Sequence, residues 1–158
     1  MMGAGKSTVG ALLADRLGGT FVDLDGRVVD KVGLSIPDIF AQHGEAGFRD
    51  YEEECLRECL SHVSGGVLAL GGGTLDRQAN RALLRDRYII WLDADPTLLF
   101  ARADSVGRPL TRAGMSAFLE RYRNREALFR EVAALRIDVT GTTPEDVVNQ
   151  IVARGSQS

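Results

Sequence analysis

Two continuous apolar runs, VLAL at 67–70 and YIIWL at 88–92, most constrain the fold of this chain. Strands with this pattern are buried on both faces, as in parallel sheets that helices cover on each side. Strand and helix patterns alternate around them, and further strands are predicted at TFVDL (20–24) and LRIDV (135–139). Strand–helix–strand units join parallel strands through right-handed crossovers. The sequence therefore predicts an α/β fold in three layers, αβα, around a parallel sheet.

Apolar periodicity and residues typical of helix ends predict the helices. They are expected at 6–17, 25–32, a short segment after a Ser35 cap, 45–63, 79–84, about 96–102, about 116–133, and from Pro144 onward. Asp95 and Pro96 have the residue types of an N-cap and a first helical position. A loop at about 103–116, with two glycines and a proline, is expected to be a lid. We expect residues 1–158 to form one domain.

The composition narrows the classes of function. Apolar residues are 44% of the 158 and the net charge is −3, so binding to nucleic acid through bulk positive charge is not expected. Eight arginines between 102 and 136 suit a small anionic ligand, although some belong to solvated helix faces.

With no apolar run near ~20 residues and no signal-peptide pattern, we expect a cytoplasmic monomer without a membrane partner. Cys55 and Cys59 are expected to face the core.

A phosphate-binding loop is predicted at GAGKST (3–8), which leads directly into the first helix. Gly5, Lys6 and Ser7 fill the last three positions of the pattern G-x-x-x-x-G-K-[ST]. Its first glycine would fall before Met1. Backbone N–H groups of such a loop face an anion, the lysine binds the β- and γ-phosphates, and the hydroxyl binds Mg²⁺. The alternative is a glycine-rich terminus before an amphipathic helix.

Acidic residues and glycines follow the other predicted strands. Asp23 and Asp25 lie two apart at the end of TFVDL, so both carboxylates can face one cleft, one near Mg²⁺ and one accepting a proton. Alternatively, Asp25 only caps the next helix. Asp93, which ends YIIWL, is a rival metal ligand. The three glycines at 71–73 let backbone amides approach a ligand. Ligands of parallel sheets bind beyond these strand ends.

Six stretches together resemble shikimate kinase, a small relative of the nucleoside monophosphate kinases. They are MGAGKSTVG, FVDLD, GLSIPDIFAQHGEAGFRDYEEECL, VLALGGGTL, GRPL and NREALFREVA, in that order from Met2 to about Asp138. The resemblance implies a P-loop kinase fold. It also implies transfer of the γ-phosphoryl of ATP to the 3-hydroxyl of shikimate, in aromatic amino-acid biosynthesis, with Mg²⁺ as cofactor.

The resemblance also implies roles for individual residues. Gly3, Ala4, Gly5, Lys6, Ser7 and Thr8 would hold the ATP phosphates, with Ser7 on Mg²⁺ and Asp23 supporting the metal through water. Asp25 would bind the substrate hydroxyl and serve as base. Arg49 and Arg125 would pair with the shikimate carboxylate, beside Gly71, Gly72 and Gly73. Arg108 would come from the lid to the phosphates, and Arg102 would approach the adenine. Arg49 and Arg125 each have an alternative role in a surface salt bridge.

The chain departs from the family mainly at its start. Family members have an apolar strand before the phosphate loop, in the middle of the sheet between the strands expected at VLAL and YIIWL. Without it, unpaired backbone groups would cost about 1–3 kcal/mol each and lost apolar side chains roughly 1.5–3 kcal/mol each. We therefore expect a truncated reading of a longer protein that folds poorly and turns over weakly. Milder departures are Ala127 and Phe129, where the family usually has proline and tyrosine.

Two other functions fit the same residues. One is a different small-molecule kinase of this superfamily, of the gluconate or nucleoside monophosphate type. The other is a nucleotide-binding remnant with little activity. The three functions differ in the acceptor they use and in whether bound ATP is turned over.

Overall fold

The structure of the chain, a computed structural model, describes residues 3–62, 65–105 and 114–155, without the side chains of His62, Asp104 and Ser105. Within those ranges the elements are, in order, α1 (Lys6–Leu17), β1 (Phe21–Asp23), α2 (Leu24–Val32), α3 (Ile36–His62), β2 (Val67–Ala69), a 3₁₀ turn (Thr74–Asp76), α4 (Gln78–Leu83), β3 (Ile90–Asp93), α5 (Pro96–Ser105), α6 (Gly114–Val132), β4 (Leu135–Asp138) and α7 (Pro144–Gly155).

The strands pair in parallel, as the sequence predicts. β1 lies beside β2 with Phe21 opposite Val67, and β3 lies beside β4 with Ile90 opposite Leu135. In each pair, helices connect one strand to the next, which is the only short way to join parallel neighbours. Within each pair, the carboxyl ends of the two strands therefore lie at the same edge, where the sequence places candidate site residues.

Helices cover both faces of these strands and form two apolar cores. One core joins α1, α5, α6 and α7 to β3 and β4, and it includes Leu13, Leu99 and Ile137. The other packs α2 against α3. Phe129 of α6 contacts both cores. The three-layer αβα arrangement is thus confirmed.

Helix ends agree closely with the local sequence signals. Asp95 caps α5, since its Oδ1 accepts hydrogen bonds from the backbone N–H groups of Thr97 (2.8 Å) and Leu98 (3.2 Å). The range of α3 contains two helical segments that meet at a kink at Gly44, where φ is 69° and ψ is −178°, so the two helices predicted on either side of that glycine are confirmed. Cys55 and Cys59 are free and buried in α3, as predicted, and burial raises the pKa of both thiols.

A cavity of about 310 Å³ separates the two strand pairs. Its walls include β2, β3 and the apolar face of α1 with Val9 and Leu13. Among the residues that the structure describes, β2 and β3 are hydrogen-bonded to β1 and β4 respectively but not to each other. This gap lies between the strands where the family's central strand is expected from the sequence.

Trp91 forms part of the β3 wall of this cavity. Its ring stacks on Phe129 at a centroid distance of 5.6 Å, and the Arg136 guanidinium lies 4.6 Å from its centroid. The indole Nε1 is buried and donates no hydrogen bond. The tryptophan therefore depends on aromatic stacking and a cation–π contact for its position.

In the described parts of the chain, no helix is both long enough and apolar enough to cross a membrane.

Candidate functional site

The phosphate loop has the backbone geometry that anion binding requires. Gly3 and Gly5 have φ angles of 77° and 76°, in the left-handed region that favours glycine. Gly5 is the N-cap of α1, and no side chain caps that end. The first N–H groups of the helix, together with its positive dipole end, can therefore face an anion.

The loop is held against α5. A Cβ on Gly3 would lie 2.6 Å from the carbonyl oxygen of Leu99 and 3.4 Å from the Cβ of Arg102. Ala4 is buried, whereas Gly5, Ser7 and Thr8 are exposed and Lys6 is half-buried. One side of the loop is therefore packed, and the side with the lysine and hydroxyls is open to a ligand. Arg102 lies beside Gly3.

Ser7 and Asp23 are in direct contact, although they are distant in sequence. The Ser7 hydroxyl donates to Asp23 Oδ2, and Asp23 Oδ1 accepts the backbone N–H of Asp25 at 3.0 Å. Asp23 therefore caps α2. The alternative that Asp25 is the cap is wrong, because Asp25 already lies in the first turn of the helix.

Gly71 lies at the centre of a group of oxygen atoms. A Cβ at this position would lie 2.6 Å from Glu52 Oε1, 2.8 Å from Asp25 Oδ1 and 3.1 Å from Thr74 Oγ1. The Thr74 hydroxyl donates to Glu52 Oε1 at 2.7 Å. Glycine is therefore required here for space, and the Asp25 carboxylate reaches the turn that follows β2.

Two guanidinium groups meet at Gly73. A Cβ on Gly73 would collide with Nη2 of Arg49 and would lie 2.6 Å from Nη2 of Arg125. Arg49 comes from α3 and Arg125 from α6, and both are only 8% exposed. The surface salt-bridge alternative for these arginines is therefore wrong. Two buried positive charges beside one glycine form a binding site suited to a planar anion such as a carboxylate.

A carboxylate holds each of these arginines. Arg49 Nη1 donates to Glu52 Oε2 at 2.7 Å, and Glu52 is fully buried. Burial by itself lowers the pKa of Arg49, but Glu52, with smaller contributions from Asp76 and Glu45, raises it overall. Arg125 donates to Asp76, from Nε at 3.0 Å and from Nη2 at 2.6 Å.

The sequence analysis missed Glu52, Thr74 and Asp76 as parts of the site. Glu52 lies three residues after Arg49 on one helix, a spacing that permits an ion pair. That signal was present in the sequence, but it equally described an exposed pair. Nothing in the sequence alone indicates that Asp76 reaches α6.

Asp93 is held by structural partners rather than placed for a metal. Tyr122 donates to its Oδ1 at 2.9 Å, and Arg136 donates to its Oδ2 through Nε (3.1 Å) and Nη2 (2.6 Å). The carboxylate is 3% exposed. Burial and this carboxylate together raise the pKa of Tyr122. The structure therefore favours a structural role for Asp93 over the rival role of metal ligand.

The predicted site residues converge where the structure describes them. Asp25, Arg49 and Arg125 surround the Gly71–Gly73 turn, and Lys6 and Gly71 both line the cavity beside the phosphate loop. Gly72 is half-buried between its two neighbours. Arg108 and the central part of the predicted lid lie outside the described residues.

A parallel α/β fold with a phosphate loop at its carboxyl edge, and an anion site next to it, defines the class of P-loop small-molecule kinases.

Comparison with known proteins narrows this class to one family. The model of the shikimate kinase family matches residues 2–155. A shikimate kinase from Geobacter sulfurreducens is 42% identical over 154 residues, which cover 95% of this chain and 84% of that protein. One from Enterococcus faecalis is 36% identical over 96% of this chain and 92% of its own length.

Solved structures give the same result. A shikimate kinase from Acinetobacter baumannii, in complex with shikimate, superposes with a TM-score of 0.90 at 35% identity and covers 96% of this chain and 86% of its own. The enzyme from Aquifex aeolicus superposes with a TM-score of 0.84 at 31% identity, over 97% of this chain and 90% of its own. The chain belongs to the shikimate kinase family, and it is an ATP-dependent kinase by that membership.

Proposed function

We propose that this protein transfers the γ-phosphoryl group of ATP to the 3-hydroxyl of shikimate. The observation that carries the proposal is the convergence of Asp25, Arg49 and Arg125 on the turn at 71–73, beside the phosphate loop. That arrangement offers a carboxylate for a hydroxyl group and two guanidiniums for a carboxylate. Shikimate has both groups on one ring, whereas a nucleotide acceptor lacks the carboxylate. Gluconate also carries a carboxylate, and the acceptor assay separates it from shikimate.

Arg49 and Arg125 would bind the shikimate carboxylate through the Nη2 atoms that flank Gly73. Their burial strengthens the charge-assisted hydrogen bonds, because little water competes for them. Backbone groups of Gly71, Gly72 and Gly73 would approach the ring closely. The absence of side chains at Gly71 and Gly73 lets the Asp25 carboxylate and the two guanidinium groups lie directly against this turn.

Asp25 would accept a hydrogen bond from the 3-hydroxyl and take its proton as the oxygen attacks. In that step a bond forms between the hydroxyl oxygen and the γ-phosphorus, and the bond to the β–γ bridging oxygen breaks. Phosphoryl transfer depends mainly on positioning and on neutralising charge. The protein's contribution is therefore to align the hydroxyl with the phosphate.

Gly3 to Thr8 would bind the phosphates, with Lys6 as a point charge on the transferred group. Ser7 and Asp23 fit Mg²⁺, since a hydroxyl and a carboxylate in direct contact are the oxygen ligands that this ion prefers. Bound there with several waters, Mg²⁺ would neutralise phosphate charge. Asp23 would support it through water. In the described residues, no cluster of three acidic, histidine or cysteine side chains forms a metal cage, which is the usual situation for Mg²⁺ at phosphates.

Further parts of the proposal rest on the sequence and the family. Arg108 would come from a lid at about 103–116 and contact the phosphates, and closure would exclude water as a competing acceptor. A cytoplasmic monomer with shikimate and ATP as its small-molecule partners is the expected form.

A coupled assay of ADP release with shikimate tests the proposal. Arg125→Ala should lower kcat/KM for shikimate by at least about 30-fold, as expected for loss of one partner of a buried charge contact. Arg130→Ala is the matched control. It lies on the same helix in an exposed pair with Glu126, so its removal should change kcat/KM less than about 2-fold.

Arg49→Lys adds a second test that leaves a positive charge opposite Glu52. Lysine lacks the planar fork, so KM for shikimate should rise while the protein stays folded. Equal turnover of shikimate by the Arg125→Ala and control variants would reject the proposal. Use of a nucleotide or gluconate instead would assign the chain to another small-molecule kinase.

The cavity between β2 and β3 favours one further candidate, a nucleotide-binding protein with little turnover. Its walls support the phosphate loop through α1, and unpaired strand edges there weaken that support. Titration calorimetry with ATP and with shikimate, run beside the turnover assay, separates the two. Binding of both ligands without ADP release would favour the nucleotide-binding protein.

A further inference from the structure

Glu52 and Asp76 make the closest carboxylate contacts to the two site arginines, Arg49 and Arg125, and they bind different nitrogens. Glu52 accepts from Nη1 of Arg49, so Nη2 of that arginine is the atom that faces Gly73. Asp76 accepts from Nη2 of Arg125, the same atom that faces Gly73. Glu52 therefore orients its arginine toward the turn, where Nη2 of Arg49 has a longer contact, 3.4 Å, with the exposed Glu45. Asp76 binds the Arg125 nitrogen that a ligand would need, at 2.6 Å.

The two carboxylates also differ in burial. Glu52 is fully buried and is further fixed by the Thr74 hydroxyl, so it cannot leave its arginine without losing both partners in a dry environment. The Asp76 side chain is 36% exposed, and it lies in a one-turn 3₁₀ segment at the rim of the site. Rotation of the Asp76 carboxylate into solvent would therefore cost little free energy, because this group is already partly hydrated.

The charges in the site also favour displacement of Asp76 when a carboxylate ligand binds. Without a ligand, Arg49 and Arg125 are neutralised by Glu52 and Asp76, and Asp25 lies near the same turn. A bound substrate carboxylate adds another negative charge. With Asp25 counted, carboxylates already outnumber the two arginines, so the added charge would be repelled unless one of the protein's carboxylates moved away, and Asp76 is the partly exposed carboxylate that binds Arg125.

Resting on the proposed function, we propose that Asp76 is an internal competitor of the substrate carboxylate. It pairs with Arg125 while the site is empty and is displaced when the carboxylate of the acceptor binds. Asp76 thus lowers affinity for carboxylated ligands and balances the charge of Arg125 while the site is empty. It touches the binding arginine but takes no part in phosphoryl transfer.

Titration calorimetry of shikimate and of its uncharged methyl ester tests this inference. Asp76→Asn removes the charge and keeps the shape, and we expect it to tighten shikimate binding roughly 2- to 5-fold, the range for partly exposed ion pairs. Affinity for the methyl ester should not change. Asp76→Ser is a second variant with the same expectation, should the amide of asparagine keep its own hydrogen bond to Arg125.

Glu126→Gln is the control for the removal of one negative charge, since Glu126 pairs with Arg130 on the surface of α6. It should leave both affinities as they are. Weaker or unchanged shikimate binding in the two Asp76 variants, with the original protein binding shikimate normally, overturns this inference alone. Failure of the original protein and all variants to bind shikimate rejects the proposed function and this inference together.

Discussion

At the scale of single residues, Gly73 decides how close the two site arginines come to the backbone. Its missing side chain leaves room for Nη2 of both Arg49 and Arg125. Two like charges can share so small a space only because Glu52 and Asp76 are their counter-ions. A glycine, two arginines and two acids therefore act as one unit, and each is best studied by its effect on the others.

We expect Gly73→Ala to weaken shikimate binding by at least about tenfold, because the added methyl would displace the Arg49 guanidinium. The residue has a φ of −114°, so the change should act through this collision and not through backbone strain. Titration with shikimate would measure it.

Gly26→Ala is the control, since a Cβ there would make only an ordinary contact of 3.8 Å with Asp23. Unchanged affinity in Gly73→Ala would mean that the arginines do not bind where the proposal puts them. ATP affinity should be unaffected in both variants.

At the scale of elements, helix ends are fixed by single capping residues. The Asp95 side chain binds two N–H groups at the start of α5, and that helix in turn packs against Gly3 of the phosphate loop. The cap therefore influences the position of the loop through one intermediate helix.

Asp95→Ala should lower the free energy of unfolding by about 0.5–2 kcal/mol, the usual effect of losing a side-chain N-cap. Urea denaturation would measure it, with Asp86→Ala as an exposed acidic control expected to change stability by less than about 0.5 kcal/mol. Equal stability of the two variants would contradict a stabilising role for the Asp95 cap.

Helices and strands could be predicted from the sequence because local signals and tertiary packing agree. α1 has the predicted bounds, and Gly33 and Pro96 mark helix ends as expected. The strands are shorter than their apolar runs, since pairing covers only three or four residues in each. The length of an apolar run indicates how many residues are buried. Hydrogen-bonded pairing also requires a neighbouring strand, and the sequence does not show which residues will have one.

The site could be predicted only in part, for a similar reason. Motifs located the loop, both aspartates and both arginines. They did not reveal that Asp76 reaches Arg125, because the fold brings together these two residues, which are 49 positions apart. The Asp23 cap is local, but from the sequence either Asp23 or Asp25 could cap α2. The roles of the motif residues remain predictions until the assays above are made.

At the scale of the whole molecule, the cavity between β2 and β3 interrupts the sheet. Two strand edges face it, and apolar side chains line it. A void of about 310 Å³ forfeits both hydrogen bonds and dispersion contacts. Stability is therefore expected to be low relative to a sheet without this gap.

We expect an apolar strand of about five residues, added before Met1, to raise the melting temperature and kcat of residues 1–158. Pairing with both edges would satisfy backbone groups, and burial would add roughly 1.5–3 kcal/mol for each large side chain. Calorimetry and the ADP-release assay would measure the two effects.

An extension of the same length made of glycine and serine is the control, and it should change neither quantity. An equal gain from that control, or no gain from the apolar strand, would contradict filling of the cavity. Shikimate affinity reports separately whether the binding turn is preserved.

The stacked indole on the cavity wall has a practical consequence. Trp91 is the single tryptophan of the chain, so all indole emission comes from one place in the molecule. Trp91 is 2% exposed, and a segment inserted beside it would change the packing and polarity around the indole. Light emitted by one side chain therefore reports, in real time and without a label, whether the middle of the sheet is open or filled.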